Sequence, residues 1–222
     1  MIEVLFEDNH IIAVNKQSGD IVQGDKTGDK TLGEKVALFL KNKYNKPGNV
    51  FVGVTHRIDR PVTGVVLFAK TSKALARLNE MFQSKTVQKT YWALVTNVPE
   101  EKKAVLTHYL IKDSKINKSV ALNHERNGAK KSILSYEMLE STYKSPLLEV
   151  KPITGRSHQI RAQLSKIRCA IVGDLKYGAR HPNSNQSICL HAKKIEFIHP
   201  ITKEAVVIEA PLPLVWNEFV LK

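Results

Sequence analysis

Short β-type runs dominate this sequence and limit the folds it can adopt. Runs rich in β-branched and aromatic residues, bounded by turn-forming residues, predict strands at 2–6, 11–15, 50–54, 64–69, 87–96, 132–139, 147–151, 187–190, 194–198 and 206–210. Helical apolar spacing predicts three helices, at 31–45, 71–85 and 155–167. Because strands and helices do not alternate as βαβ units, the sequence predicts an α+β fold with a mixed, mostly antiparallel sheet flanked by helices.

The first helical stretch carries clear local signals. Thr31 and Glu34 have the spacing of a capping box, in which each side chain binds the backbone N–H of the other residue. The helix is expected to stop at Lys-Pro-Gly, residues 46–48. Its predicted apolar face consists of Leu32, Val36, Phe39 and Leu40.

The chain has a large excess of basic residues. It contains 34 Lys and Arg against 21 Asp and Glu, a formal net charge of +13. Such a balance favours a polyanionic partner, most often a nucleic acid, although a basic surface also serves solubility. The lysine-dense segment 101–131 is interpreted as a solvated loop region, with an RNA-facing surface as the alternative.

Several classes of protein are disfavoured by the composition. Cys169 and Cys189 lack CxxC spacing and lie in apolar surroundings, so they predict buried free thiols and favour a reducing, cytoplasmic location. The N-terminus lacks a secretory signal, and no apolar run approaches the roughly 18 residues of a membrane span. The sequence shows no P-loop, GxGxxG, HExxH or GxSxG motif and no metal-ligand spacing of histidines, so we expect no metal and no cofactor.

One acid stands inside a cationic cluster. In VTHRIDRPVTGVVLFAK, residues 54–70, Asp59 lies between Arg57 and Arg60, with His56 nearby. A carboxylate beside cations stays ionised at neutral pH, so it can act as a nucleophile, a base or a structural counter-ion. A salt bridge that fixes the turn is the simpler interpretation. However, a turn before a buried strand also presents side chains at a sheet edge, where sites are often built.

A second candidate segment is KTYWALV, residues 89–95. Tyr91 follows the polar Thr90 in a β-rich run. Its ring can serve as a flat platform for a nucleobase, or it can fill the core with its hydroxyl satisfied. Trp92 points to the opposite face of the strand, and it is predicted to be the better core residue.

A third candidate segment is KPITGRSHQIRAQL, residues 151–164, where a strand ends, a Thr-Gly turn follows and a helix begins. Arg156 lies in the turn and Arg161 in the first helical turns. Arginine binds phosphate or carboxylate bidentately, so Arg161 is a candidate partner for a distant acid. A solvent-facing helix with ordinary surface cations is the alternative. Further along, Asp174 stands in a turn sequence and is interpreted as structural.

Four segments together resemble the signature blocks of RluA-type pseudouridine synthases, in the order of that family. They are HRIDRPVTGVVLFAK, KTYWALV, PITGRSHQIRAQL with IVGDLKYG, and LHAKKIEFIHP. The segment EDNHIIAVNKQSGDIV also resembles the N-terminal hairpin of the family, so the likeness runs from about residue 3 to about residue 213. The departures are HRID for the commoner HRLD, Val62-Thr63 for Thr-Ser, and Gln17 for Pro.

The resemblance implies the pseudouridine synthase fold with a central RNA-binding cleft, in one catalytic domain over residues 1–222 without an accessory RNA-binding domain. It also implies a cofactor-free reaction in which the N1–C1′ bond of a uridine in RNA breaks, the base turns and C5 joins C1′. The expected partner is RNA, either rRNA or tRNA, held by the basic surface. We expect no membrane association, no obligatory protein partner and a monomeric state; the target uridine is not readable from the sequence.

The resemblance also assigns roles to particular residues. Asp59 matches the essential carboxylate, which either attacks C1′ or removes the C2′ proton. Tyr91 matches the base-stacking tyrosine, and Arg161 matches the buried arginine that pairs with the aspartate. Arg57 is expected to fill the gap left by the extruded base. The other expected RNA contacts are His56, Arg60, Lys89, Ile153, Arg156, His158, Gln159 and Leu190.

Two other functions stay open at the level of sequence. A non-catalytic RNA-binding or RNA-chaperone protein can use the same fold. A base-excising glycosidase is the second alternative, and such enzymes often need a second carboxylate. Within the first three blocks, the only acid besides Asp59 is Asp174, which argues against this alternative.

Overall fold

The computed structural model describes residues 2–24, 28–141 and 145–216. The chain forms two units, which are described separately. The first comprises residues 1–89 and 192–212, and the second comprises residues 90–191 and 213–222. The assignment of the whole chain to one catalytic domain stays a prediction. Among the described residues, no helix has the length and apolar character needed to cross a membrane.

Two central strands organise the first unit. Strand β2 (Ile11–Lys16) pairs antiparallel with β4 (Thr63–Ala69), with Lys16 opposite Gly64 and Ile11 opposite Ala69. Every residue of both strands is buried. Such burial explains why residues 11–14 and 65–69 of these strands are continuously apolar and do not alternate. The neighbouring strands of this unit are β1 (Val4–Glu7), β3 (Gly53–Val54), β10 (Leu190–Ile198) and β11 (Ala205–Glu209).

The two helices of the first unit cover its sheet. Helix α1 (Leu32–Lys43) begins with the predicted capping box, since Thr31 Oγ1 accepts from Glu34 N at 3.2 Å and Glu34 Oε2 accepts from Thr31 N at 2.7 Å. Its predicted apolar face is largely confirmed, although Phe39 is only half-buried. Helix α2 (Ser72–Gln83) buries Ala74 and Leu78 in the core of this unit.

The second unit is built on an antiparallel sheet and one helix. Its strand order is β5 (Gln88–Leu94), β9 (Pro146–Pro152), β8 (Lys130–Ser141), β6 (Lys103–Asp113) and β7 (Lys118–Leu122). Helix α3 (Gln159–Lys166) packs on β6 and β7 and is followed by a short 3-10 helix, Leu175–Tyr177. Antiparallel pairing with helices in both units confirms the predicted α+β class.

The loop prediction for residues 101–131 is wrong. Strands β6 and β7 form an antiparallel hairpin in this segment, with Tyr109 opposite Leu122. One face of the hairpin is exposed, so Leu110 is buried whereas Val105 is 65% exposed. An antiparallel sheet with one solvated face tolerates lysines among its apolar residues, and this obscured the strand pattern.

Smaller parts of the sequence prediction also need correction. The runs 187–190 and 194–198 are not two strands, because one strand, β10, begins at Leu190 and continues to Ile198. Trp92 is half-buried and is not a core residue. The buried tryptophan of the second unit is Trp216, which is 1% exposed. Cys169 and Cys189 are buried free thiols, as predicted.

Candidate functional site

Asp59 lies in the turn between β3 and β4 of the first unit and is half-buried. Its backbone carbonyl accepts from Val62 N at 3.0 Å, which closes the turn. Ile58 and Val62 are 8% and 2% exposed, so both sides of the turn are anchored in the core. The acid is therefore presented from a fixed turn immediately before a buried strand.

Lys16 holds this turn and was missed by sequence reasoning. Its side chain is fully buried at the end of β2. Its ammonium Nζ donates to three backbone carbonyls, those of Gln17 at 3.0 Å, Arg60 at 3.0 Å and Val62 at 2.7 Å. Two of these carbonyls lie in the turn that carries Asp59. Lys16 therefore joins the end of β2 to the candidate catalytic turn.

The electrostatic environment of Lys16 reflects its burial. Burial lowers the pKa of Lys16 to about 8, and the nearby carboxylates of Asp20 and Asp59 partly offset this effect by favouring the charged form. At neutral pH the ammonium is thus still charged beside Asp59. The signal in the sequence was a lysine that directly continues the buried run IIAVN, where a solvated lysine is not expected.

His56 is fixed within the first unit. Its Nε2 accepts from Leu67 N at 3.0 Å, and its ring stacks on Phe82 with centroids 4.8 Å apart. Burial, with a smaller contribution from the nearby Lys89 ammonium, lowers the pKa of His56 to about 3. The ring is therefore neutral near pH 7, with its proton on Nδ1. It cannot provide a cationic contact to phosphate, so its predicted RNA contact is restricted to neutral interactions.

The first unit carries three cations that are predicted to contact RNA, and their side chains have different partners. Arg57 Nη1 donates to Gln23 Oε1 at 2.9 Å, and Arg60 Nη2 lies 2.6 Å from Asp29 Oδ2. Ion pairs and hydrogen bonds of this exposed kind contribute little energy, so a phosphate can replace them at low cost. Lys89 Nζ lies 6.0 Å from the centroid of the Phe82 ring, and burial lowers its pKa.

Arg161 and Asp174 form a buried ion pair in the second unit. Arg161 Nε donates to Asp174 Oδ2 at 2.7 Å and Nη2 donates to Oδ1 at 2.9 Å. The two residues are 5% and 1% exposed. The solvent-facing alternative is therefore wrong for Arg161, and the structural interpretation of Asp174 agrees with its contacts. The pairing of Arg161 with Asp59 stays a prediction, because the two residues belong to different units.

Tyr177 is another buried residue of this region for which the sequence predicted no role. It is 4% exposed, and the guanidinium carbon of Arg161 lies 4.9 Å from its ring centroid. Its hydroxyl accepts from Ser119 N at 2.8 Å and lies 2.9 Å from His158 Nδ1. Tyr177 thus links β7, the turn before α3 and Arg161. An aromatic residue inside a turn sequence was the available signal.

The turn before α3 is closed by a buried glutamine. Gln159 is 4% exposed. Its Oε1 accepts from Thr154 Oγ1 at 2.8 Å and from Arg156 N at 2.9 Å, and its Nε2 donates to Ile133 O at 3.0 Å. Gln159 therefore shapes the turn that carries Arg156 and His158. Its predicted contact with RNA stays a prediction.

The remaining site residues of the second unit differ in exposure. Tyr91 lies in β5 opposite Val150 and is half-buried. Ile153 is 47% exposed and Leu190 is 3% exposed. Arg156 is exposed, and its Nε donates to Lys131 O at 3.3 Å.

The structure thus brings the site residues together as two sets. The first unit carries Asp59, His56, Arg57, Arg60 and Lys89. The second unit carries the residues of β5, the α3 region and the start of β10, namely Tyr91, Ile153, Arg156, His158, Gln159, Arg161 and Leu190.

Comparison with known proteins identifies a matching family. The profile of the RNA pseudouridylate synthase family matches residues 10–166. Ribosomal large subunit pseudouridine synthase C of Buchnera aphidicola subsp. Baizongia pistaciae is 32% identical over 96% of this chain and 68% of the relative. tRNA pseudouridine synthase C of Vibrio cholerae is 31% identical over 98% of this chain and 93% of the relative.

The lengths of two further relatives and the structure of another protein add to this comparison. The chain spans 65% of the length of the ribosomal synthases C of two Vibrio species. The structure of human RNA Pseudouridylate Synthase Domain Containing 4 superposes with a TM-score of 0.79 at 24% identity, covering 96% of this chain and 89% of that one. This likeness shows a common fold.

Proposed function

Because this chain belongs to the RNA pseudouridylate synthase family, we propose that it isomerises uridine to pseudouridine in RNA. The observation that carries the proposal is the half-buried Asp59, presented from a turn that the buried Lys16 anchors through Arg60 O and Val62 O. A carboxylate in a fixed position is what a reaction at the anomeric carbon needs.

The proposed reaction conserves all atoms of the nucleoside. The N1–C1′ bond breaks, and Asp59 either forms a bond to C1′ that C5 later displaces or removes the proton from C2′. C5 then bonds to C1′, and in the second route the proton returns to C2′ as this bond forms. C5 loses its proton, and N1 ends protonated. Since bonds are only exchanged within one nucleoside, the reaction requires no oxidant, reductant or energy-supplying cofactor.

The other site residues are proposed to bind and position the RNA. A uridine inside a helix must be extruded before its C1′ can be reached, and the half-buried ring of Tyr91 is suited to stack on the extruded base. Arg57 would fill the vacated space. Arg161, fixed by Asp174 and Tyr177, is proposed as the electrostatic partner of Asp59. The proposed backbone contacts are Arg60, Lys89, Arg156 and His158, and the proposed apolar base contacts are Ile153 and Leu190.

The substrate is proposed to be rRNA or tRNA, because the named relatives act on one or the other. We further propose that the enzyme works as a monomer in the cytoplasm without an obligatory protein partner. The net charge of +13 supports RNA binding dominated by phosphate contacts, which weaken steeply with salt.

The glycosidase alternative is disfavoured by the contacts of Asp174. Both of its carboxylate oxygens accept hydrogen bonds from Arg161, and the residue is 1% exposed. It is thus not available as the second carboxylate that activates a water. A glycosidase would release free uracil and leave an abasic site, whereas an isomerase would release neither.

The test uses RNA labelled with tritium at C5 of uridine. Asp59→Asn should abolish tritium release while circular dichroism and RNA binding stay near those of the wild type. The matched control is Glu137→Gln, which removes an exposed carboxylate of the Lys103–Glu137 ion pair and should leave the rate unchanged. Near wild-type tritium release by Asp59→Asn, or free uracil from the wild type, would show that the proposal is wrong.

A further inference from the structure

An exposed aromatic ring surrounded by lysines lies at the end of helix α1. We call this group the Tyr44 patch and define it as Glu7, Lys43, Tyr44, Lys46 and Lys70. The ammonium groups of Lys43, Lys46 and Lys70 lie 5.3, 5.9 and 5.4 Å from the centroid of the Tyr44 ring. The tyrosine is 49% exposed, so about half of the residue is accessible to a partner.

The negative charge of the Tyr44 patch lies beneath its surface. The Glu7 side chain is 8% exposed and accepts from Lys43 Nζ at 2.7 Å, Lys70 Nζ at 2.7 Å and Tyr44 Oη at 2.8 Å. Burial acts to raise the pKa of Glu7, but these hydrogen bonds outweigh it and lower the pKa to about 2. The buried carboxylate therefore fixes the ring and two ammonium groups, while the outer surface is aromatic and cationic.

The sequence on either side of Tyr44 carries bases and no acids. From Lys35 to Ile58 the chain contains no Asp or Glu, although it contains Lys35, Lys41, Lys43, Lys46 and Arg57. Residues 41–46, with the sequence KNKYNK, are all exposed. Lysines in the last turn of a helix also stabilise its negative end, and this accounts for Lys41 and Lys43. It does not account for the exposed Tyr44. Lys70, which follows β4, supports the patch from below, since its side chain is 11% exposed and its Nζ donates to Glu7 Oε1 and Asp8 O.

Strand β4 fixes the distance from the Tyr44 patch to the candidate catalytic turn. The turn with Asp59 precedes Thr63, the first residue of β4, and Lys70 follows Ala69, its last residue. A strand of this length spans about 20 Å at about 3.3 Å per residue. An RNA bound at both places must therefore extend along the first unit well beyond the reacting nucleotide.

We propose that the Tyr44 patch is a second RNA-binding site, which stacks an unpaired base on Tyr44 and binds adjacent phosphates through its exposed lysines, Lys43 and Lys46. This inference rests on the proposed function, because the same RNA would deliver its uridine to Asp59. Aromatic rings bind unpaired bases by stacking, and flanking cations bind the phosphate backbone. The patch would add affinity for extended RNA without taking part in the reaction.

The experiment compares two RNAs that wild-type protein modifies: a full transcript, and a shortened form that keeps the target uridine but cannot span the roughly 20 Å of β4. Tyr44→Ala should weaken binding of the full transcript at least about fivefold, as expected for loss of one stacked base. Lys46→Gln should weaken it and reduce the salt slope of binding by about one. Both variants should bind and modify the shortened RNA as the wild type does.

Two further variants separate RNA contacts from structural effects. Tyr44→Phe keeps the ring and loses only the hydroxyl that donates to Glu7, so it should bind the full transcript like the wild type. Lys103→Gln removes a 73% exposed lysine that is paired with Glu137, and it should change the salt slope less than Lys46→Gln. If Lys46→Gln and Lys103→Gln changed the salt slope of RNA binding equally, the proposal would be overturned.

Three other outcomes would each contradict either this inference or the proposed function. Unchanged binding of the full transcript by Tyr44→Ala and Lys46→Gln would overturn the inference while leaving the proposed reaction intact. Equal weakening for both RNAs would also overturn it, because the shortened form cannot reach the patch. Absence of pseudouridine from every RNA would instead contradict the proposed function, which is thus tested separately from RNA affinity.

Discussion

Lys16 and Val62 are joined by a 2.7 Å hydrogen bond from a fully buried ammonium group to a backbone carbonyl. The same ammonium binds Arg60 O, so two carbonyls that flank the candidate catalytic turn share one donor. Burial of a charge is costly, and the lowered pKa of Lys16 reflects this cost. The hydrogen bonds offset it, and they convert a flexible turn into one that holds Asp59 in place.

Lys16→Met is expected to destabilise the protein and to slow the reaction. The substitution keeps an apolar stem of similar length but removes the buried hydrogen bond to Val62 O and the partly buried bonds to Gln17 O and Arg60 O, which keep backbone donors in Asp20 N and Gly19 N. Loss of the partner of a buried polar group costs about 1–3 kcal/mol, and removal of the buried charge recovers part of this. We expect a net loss of about 1–2 kcal/mol in the free energy of unfolding, measured with urea.

The matched control for this prediction is Lys35→Met. Lys35 pairs with Asp20 at 2.6 Å, but its side chain is 43% exposed. An exposed ion pair contributes at most about 1 kcal/mol, so the control should be nearly as stable as the wild type. In the fraction that stays folded, Lys16→Met should lower kcat more than it changes KM, because the turn that carries Asp59 moves, whereas the proposed RNA contacts outside it, Lys89, Arg156 and His158, do not. Equal stability and equal kcat for the two variants would contradict the anchoring role.

Local signals predicted the elements that depend on neighbouring residues. The capping box of Thr31 and Glu34 formed as expected, and the apolar run before Lys70 became the buried strand β4. Both features depend on residues close in the sequence and on burial of continuous apolar runs. The resemblance of four blocks supplied the family, which the comparison confirmed.

Features that depend on distant residues were not predictable in this way. Lys16 binds carbonyls 44 and 46 residues away, and nothing in its immediate sequence specifies those partners. The hydroxyl of Tyr177 binds Ser119 N across 58 residues. The hairpin of β6 and β7 was taken for a loop because its solvated face mixes lysines with apolar residues. Such contacts are set by tertiary packing, which overrides the local pattern.

His56 should make the stability of the protein depend on pH in the acidic range. Its pKa falls from the ordinary 6.5 to about 3 on folding, so between these values the unfolded chain binds a proton that the folded protein excludes. The free energy of unfolding therefore falls as the pH is lowered through this window. Near pH 5 the exclusion of this proton lowers the free energy of unfolding by about 2 kcal/mol, at about 1.4 kcal/mol per pH unit below 6.5.

The variant that tests this prediction is His56→Gln, which does not titrate and keeps a side-chain oxygen able to accept from Leu67 N. Urea unfolding at about pH 7 and about pH 5 should show a smaller loss of stability for this variant than for the wild type. His124→Gln, at an exposed position, should keep the pH dependence of the wild type. The same pH dependence in all three proteins would contradict the assignment of the effect to His56.

Gly64→Ala is expected to be strongly destabilising, whereas Gly48→Ala is expected to be tolerated. Gly64 has φ +112°, and a Cβ at this position would clash with Ala192 O and lie 2.7 Å from Ala192 N. Both atoms belong to the backbone of β10, so a methyl group can be accepted only if β4 moves away from its neighbour. Strain at positive φ and overpacking each cost about 1–3 kcal/mol, which gives a combined loss of about 2–6 kcal/mol.

Gly48 offers the same substitution without these obstacles. A Cβ there meets no atom within 4 Å. Gly48→Ala should leave the stability unchanged or raise it by up to about 1 kcal/mol, because alanine restricts the unfolded chain. Thermal unfolding of the two variants measures the difference. Tritium release from the folded fraction of Gly64→Ala should fall because Gly64 lies in the first two residues of β4, close to the turn with Asp59. If Gly64→Ala and Gly48→Ala unfolded at the same temperature and released tritium at the same rate, close packing of β4 on β10 could not be what positions that turn.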